Sequence, residues 1–360
     1  MKIAIVGGGI NGLMAAYFLS KKGHSIDIFD KSNILSETSS KSSKLLHGGI
    51  RYLEQGHIPF VYKALIDRYW WKLNAPDLCK TIEIVCPVYR NSPRGKFKMF
   101  FGAKMYEYLS LNYSLGKSKL DEKSQLRKLQ NDLTTDNYIG SVSYFDLQMN
   151  EEALGQWVLK SIRERGVNIY ENSEVESINQ SGSLVINGHK AYYDFLINAA
   201  GPWASKLLEK SNLKTNHSLK YIKGSHLVFD HEIHNSYLLQ VPNEKRIIFF
   251  FPYNGKTILG TTEIEVSKLE NPNISDIEID YLLNNINKFT KRKYSQNDIS
   301  DTFSGIRPIF FTKNRQGKIS ELSRDTKIEI NQRLINIFGG KWTSSVSLGR
   351  KCEKIIQKFL

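Results

Sequence analysis

The sequence predicts an α/β protein in which a parallel-sheet domain is interrupted by a second unit carrying an antiparallel sheet. Three observations predict it. Residues 2–6 (KIAIV) are β-branched and apolar, and give way to Gly7, Gly8, Gly9 and Gly12 and then to Leu13–Lys22, which has helical composition. Residues 25–29 return to strand character and stop at Asp30. Further on, residues 220–265 hold aromatic and β-branched runs spaced as hairpin arms around Asn254-Gly255.

The chain has 360 residues, enough for two cooperating domains or one large α/β unit. At 41% hydrophobic and 24% charged it can bury a full core, which excludes a disordered chain or a peptide. The excess of 50 Lys+Arg over 36 Asp+Glu gives a formal +14 and suggests an anionic partner. That partner is a phosphorylated substrate, an acidic lipid surface or nucleic acid; charge alone does not choose. Cys79, Cys86 and Cys352 show no CxxC spacing, so neither a disulfide framework nor a zinc site is supported, and no metal is expected. No charged leader or apolar h-region precedes the Ile3–Val6 run, and no window holds about twenty uninterrupted apolar residues. A cytoplasmic protein without a membrane span is therefore expected.

Each part of the N-terminal unit has a physical task. Gly7 permits a tight turn, Gly9 a close approach of the backbone to a pyrophosphate, and Gly12 close packing of helix on strand. The helix start, including Asn11, presents free N–H groups to phosphate. Asp30, at the end of the next strand, can accept hydrogen bonds from ribose hydroxyls, which favours FAD or NAD over NADP. The Rossmann-type fingerprint does not separate FAD from NAD.

Residues 39–54 (SSKSSKLLHGGIRYLE) carry small hydroxylated residues and the Gly48-Gly49 pair, suited to a chain passing a bulky planar cofactor. This stretch resembles the flavin-contacting segment of the FAD-dependent glycerol-3-phosphate dehydrogenases of the D-amino-acid-oxidase-like (glycine oxidase) superfamily, a glutathione-reductase-like class. The resemblance recurs at Glu174-Val175, at 196–204 (LINAAGPWA), at 223–226 (KGSH), at 249–263 (FFFPYNGKTILGTTE), at 304–308 (SGIRP), at 323–325 (SRD) and at 339–343 (GGKWT). Departures are Glu263 where an aspartate is usual, Trp342 where a leucine is typical, no arginine after Asp146, and an end at Leu360 where family members commonly continue into a helical domain, which this chain is expected to lack.

The resemblance implies FAD as cofactor and a discontinuous FAD-binding domain from residues 1–75, 145–215 and 303–360, with 76–144 and 216–302 forming the substrate domain. Within the latter, Tyr237–Val241, Arg246–Tyr253 and Thr257–Thr261 are expected strands, and Asp276–Lys293 an expected helix with Ile277, Tyr281, Leu282, Ile286 and Phe289 on one face. It also implies that the cofactor is contacted by Gly7, Gly9, Asn11, Gly12, Asp30, Ser43, Lys44, His47, Gly48, Gly49, Val175, Ala200, Gly201, Gly305, Gly340, Lys341, Trp342 and Thr343.

Arg51, Arg307 and Arg324 are assigned to the charged end of the substrate, because a guanidinium fork grips phosphate or carboxylate through two hydrogen bonds. Tyr52, His226 and Lys341 are expected to line the reacting carbon. Lys341 can stabilise negative charge on a reduced flavin. A neutral imidazole near its ordinary pKa is a suitable base for an alcohol proton, with His226, His47 and water all open. His226, Lys341 and Arg307 form the catalytic set.

The function implied is oxidation of sn-glycerol 3-phosphate, or a close phosphorylated polyol, to the ketone, with hydride passing to the flavin. The alternatives are an α-hydroxy acid or amino acid as substrate, or a basic nucleic-acid-binding protein keeping a structural dinucleotide. The last has no recognition signature, so nucleic acid is not an expected partner. Residues 90–128 combine Lys and Arg with Phe97, Met99, Phe100, Phe101, Met105, Tyr106, Tyr108, Leu109 and Leu111. Such a segment either lies in a membrane interface or packs inward with a solvated basic face. The resemblance implies a membrane quinone as electron acceptor, which would place the protein peripherally on the membrane's inner face.

Overall fold

The computed structural model describes residues 1–121, 129, 131–270, 272–312 and 326–360. Two sheets organise them. The first has six strands in the order Lys327–Asn331, Leu334–Phe338, Phe195–Asn198, Lys2–Val6, Ser25–Phe29 and Asn168–Tyr170. All neighbours run parallel except the first pair. The run Ile3–Val6 is buried because helices Ile10–Ser20, Glu151–Arg163 and Ser345–Ile356 cover one face. Helix Ala204–Lys210 and the small sheet Val175–Ile178, Ser183–Ile186 and His189–Tyr192 cover the other. Parallel strands buried on both faces read as continuous apolar runs, as these do.

The second sheet has ten strands. Its centre is the hairpin Ile247–Tyr253 and Lys256–Gly260, whose turn residues Asn254 and Gly255 have φ of 50° and 77°. Two consecutive left-handed residues match the twist of the arms, which is why Asn-Gly is found there. Strands Cys79–Tyr89 and Tyr138–Met149 extend this sheet, and Ile299–Thr312 pairs with His217–Phe229 along its whole length. Residues 145 and 303, expected as domain borders, thus lie inside two of its strands.

The expected helix beyond Asp276 ends at Ile286, not Lys293. Leu282, Ile286 and Phe289 are buried, but Ile277 is 78% exposed. Ile277 lies in the first turn, where Glu278 folds back onto the amide and hydroxyl of Ser275. That cap fixes the rotation of the helix and turns its neighbour outward.

Candidate active site

A cleft of about 600 Å³ runs between the two sheets. Its floor is the turn after the first strand. Gly7 has φ 109°, and a Cβ there would press into the Ala199 carbonyl; a Cβ on Gly12 would collide with the Gly7 carbonyl. Gly9 caps helix Ile10–Ser20, whose Ile10 amide donates to Ser39 Oγ at 3.0 Å. Asp30 accepts hydrogen bonds from the Gly8 amide at 2.6 Å and the Ser32 amide at 2.9 Å, and burial pushes its carboxyl up against their influence. The remaining lone pairs face the cleft that Val175, Ala200 and Gly201 also line. Lys31 lies 3.6 Å over the Trp203 ring at the same end.

Three distant segments meet farther along. Asn11 Nδ2 donates to the Gly339 carbonyl at 3.0 Å, while its buried Oδ1 has no partner in the protein. The Thr343 hydroxyl and the Lys341 ammonium donate to the His47 carbonyl at 3.2 and 3.4 Å. Trp342 Nε1 donates to the Ser39 carbonyl at 2.8 Å. The Lys341 ammonium also stands 5.0 Å from the Phe60 ring centroid and 5.9 Å from that of Tyr52. A large residue at 342 therefore anchors the 39–47 segment.

The other wall comes from the long strand pair. Gly224 stands opposite Gly305, and His226 opposite Phe303. A Cβ on Gly224 would occupy the place of the Arg307 guanidinium, whose Nη2 reaches the Thr262 carbonyl at 3.0 Å and Thr261 Oγ1 at 3.3 Å. Arg51 Nη1 and Arg307 Nη1 each lie 3.8 Å from Glu263 Oε1. His226 is buried between Phe303 and Gly260. Burial, with added repulsion from Arg307 and Lys44, pushes it down to about 3. The expectation of an imidazole near its ordinary value is therefore corrected. Neither ring nitrogen has a partner at full hydrogen-bond distance within the protein, and the nearby Phe303 backbone only weakly opposes the downward shift.

Of the residues assigned from sequence, Gly7, Gly9, Asn11, Asp30, Ser43, His47, Tyr52, Val175, Ala200, Gly201, His226, Gly305, Arg307, Gly340, Lys341, Trp342 and Thr343 line this cleft. Others stand behind it. Gly12 packs the helix, Gly48 donates its amide to Tyr106 Oη at 2.7 Å, and Gly49 turns the chain with φ 83°. The Lys44 ammonium is turned onto Glu151 and the Phe303 ring. Arg51 does not line the cleft; its guanidinium meets the Glu263 carboxylate that Arg307 also meets. Arg324 lies outside the described residues.

Sequence reasoning missed Trp203, Thr261 and Phe303, and the buried network behind Gly48. In that network Arg68 donates to Asp146 at 2.7 Å, and Tyr106 Oη lies 2.9 and 3.0 Å from the two Asp146 oxygens. The signals were the 196–204 block, which contains Trp203, and the GTTE block, which contains Thr261, both residues there without a role. Cys79, Cys86 and Cys352 are buried free thiols outside the cleft, and burial pushes Cys79 and Cys352 up to about 12.

A glycine-floored groove with the Asp30 carboxyl at one end and cations at the other fits an extended flavin dinucleotide: Gly7 and Gly12 leave no room for a Cβ, and the buried Asn11 Oδ1 has no partner within the protein. The molecule is a flavin-dependent oxidoreductase by fold and site. More narrowly, the chain belongs to the DAO family of FAD-dependent oxidoreductases, whose model matches residues 2–351.

It is 30% identical to a glycerol-3-phosphate dehydrogenase of Pseudomonas tolaasii, over 99% of this chain and 71% of that protein. It is 29% identical to the aerobic glycerol-3-phosphate dehydrogenase of Bacillus subtilis (94% and 63%) and to D-erythritol 1-phosphate dehydrogenase of Brucella abortus (96% and 72%). The fold is shared with the glycerol-3-phosphate dehydrogenase of Bacillus halodurans complexed with FAD, at TM-score 0.77 and 23% identity over 100% of this chain and 64% of that one. It is shared equally with glycine oxidase from Bacillus cereus, at TM-score 0.77 and 18% identity over 100% and 95%. The chain thus spans 63–72% of the length of the three sequence relatives.

Proposed function

We propose that this protein oxidises sn-glycerol 3-phosphate, or a close phosphorylated polyol, to the corresponding ketone. The observation that carries the reading is the Arg307 guanidinium, which lines the cleft with His226 and Thr261 and shares the Glu263 carboxylate with Arg51 next to it. Two planar forks suit a phosphate dianion, and the relatives named above include dehydrogenases of two different phosphorylated polyols.

Gly7, Gly9, Asp30, Val175, Gly201 and Gly340 would hold FAD, which when bound supplies the hydride acceptor. The protein's own part is positioning, worth several kcal/mol of barrier when a reacting carbon is held in register. The arginines fix the phosphate, and Lys341 presents a cation beside the carbon. A neutral His226 offers an unengaged nitrogen as acceptor for the alcohol O–H. With a pKa near 3 it is a weak base on its own. A phosphate on Arg307 would offset one of the cations that depress it.

Anaerobic addition of glycerol 3-phosphate to the flavin-loaded protein is expected to bleach the flavin band near about 450 nm. Retained colour with this substrate, and bleaching by α-hydroxy or amino acids instead, would move the reading to a carboxylate substrate gripped by the same arginines.

The reading extends to a membrane quinone as electron acceptor, supported by helix Lys96–Ser110. Its inner side buries Ala103 and Tyr106, while Phe97, Phe101 and Tyr108 form one outer stripe, each at least 70% exposed. Lys98 flanks that stripe and Lys104 lies within it. Exposed aromatics among lysines suit an anionic bilayer surface. No helix among the described residues is long and apolar enough to cross a membrane.

A further inference from the structure

We propose that Glu263 is the internal counter-ion of the anion grip, tempering the affinity of Arg51 and Arg307 so that a bound phosphate can leave. Its carboxylate oxygen lies equally far, 3.8 Å, from both guanidiniums, and its side chain is only 11% exposed. The segment carrying it is held in place. Thr262 Oγ1 accepts from the Ser225 amide at 2.9 Å and donates to Glu278 at 2.6 Å, and the Thr261 carbonyl accepts from Arg246 at 3.0 Å. The backbone from which the carboxylate projects is therefore fixed by a buried network.

This inference rests on the reading of Arg51 and Arg307 as the substrate's phosphate grip. The three side chains together carry two positive charges and one negative. An arriving anion meets a potential to which that carboxylate contributes as well as the arginines. Strong neutralisation would hold product as firmly as substrate, which lowers the rate without improving the chemistry. Glu263 does not line the cleft, so it is a positioning and charge-setting residue and not a catalytic one.

The test uses charge scaling. Dissociation constants of inorganic phosphate and of acetate are measured on the flavin-loaded protein at pH 8 and constant ionic strength, from perturbation of the flavin spectrum. Glu263→Gln keeps the shape and removes the charge. It is expected to tighten phosphate by about three- to fivefold, the size of one charge in a partly exposed cluster, and acetate by only about the square root of that factor. Glu263→Asp, which keeps the charge, should restore values near those of the parent protein.

Equal shifts for the two anions, weaker phosphate binding in Glu263→Gln, or no change at all would each overturn the proposal. Failure of the underlying reading looks different. If the parent protein shows no phosphate binding competitive with glycerol 3-phosphate, or Arg307→Met leaves that binding intact, the grip itself is misassigned whatever Glu263 does.

Discussion

His226 lies flat against Phe303, ring centroids 4.4 Å apart and planes 11° from parallel, as directly opposed residues of two antiparallel strands. The stack leaves the imidazole no water on that side and explains its depressed pKa. Its folded value of about 3 lies below the ordinary 6.5, so between these values the unfolded chain binds the extra proton. The stability due to a neutral His226 is full above pH 6.5 and is lost as pH falls toward 3. Acid unfolding titrations should show this proton uptake in the parent protein and lack it in His226→Gln. In the same way, log kcat/KM should show no inflection assignable to His226 between pH 6 and 8.

Arg307 is held by Thr261 and Thr262 with its fork toward the cleft. Arg307→Met should raise KM for glycerol 3-phosphate at least tenfold, because a charged hydrogen bond contributes about 1.5–3 kcal/mol. Bound flavin per chain should be unchanged, as checked by the ratio of flavin to protein absorbance.

Gly7 and Gly12, at and beneath the floor of the groove, tolerate no side chain. Gly12→Ala would drive a methyl into the Gly7 carbonyl. The expected outcome is a protein that purifies with little or no flavin, its apparent FAD dissociation constant raised by at least tenfold. Gly23→Ala, at a position with open space around it, serves as the control for surface glycine changes.

Asp146 and Arg68 are both 1% exposed and form a buried pair beneath Gly48. Removing one partner strands the other charge, which costs about 3–5 kcal/mol. Asp146→Asn should lower the urea midpoint accordingly, and should raise protease sensitivity around residues 47–53, whose turn the network holds.

If Phe97, Phe101 and Tyr108 enter a lipid surface, the parent protein should float with vesicles of half phosphatidylglycerol in low salt. The triple change to serine should stay at the bottom of the gradient while flavin content holds. Absence of flotation by the parent protein would remove the membrane reading and leave the enzymology untouched.

Much of the cofactor cradle was legible because its causes are local. Gly7, Gly12 and Asp30 act through turns and strand ends that their neighbours in sequence define, and Asn254-Gly255 announces its hairpin by backbone preference alone. The environment of His226 was not legible. Its pKa depends on Phe303 and on Arg307, 77 and 81 residues away in the chain, and on a burial that only the assembled sheet provides. The Arg68–Tyr106–Asp146 network was hidden for the same reason: its three members lie 38 to 78 residues apart and meet only in the assembled fold. Ile277 shows the opposite failure, a periodic pattern correct for the helix but overruled at its first turn by the cap at Ser275.

The pairing of His217–Phe229 with Ile299–Thr312 constrains how this lineage can change length. Insertion or deletion of one residue inside either arm would flip every following side chain to the opposite face, sending His226 or Arg307 away from the groove. Growth and loss should therefore be confined to the connections outside this ladder and to its end beyond Val228, where the register already shifts, whereas the stretch carrying His226 and Arg307 can vary only by substitution.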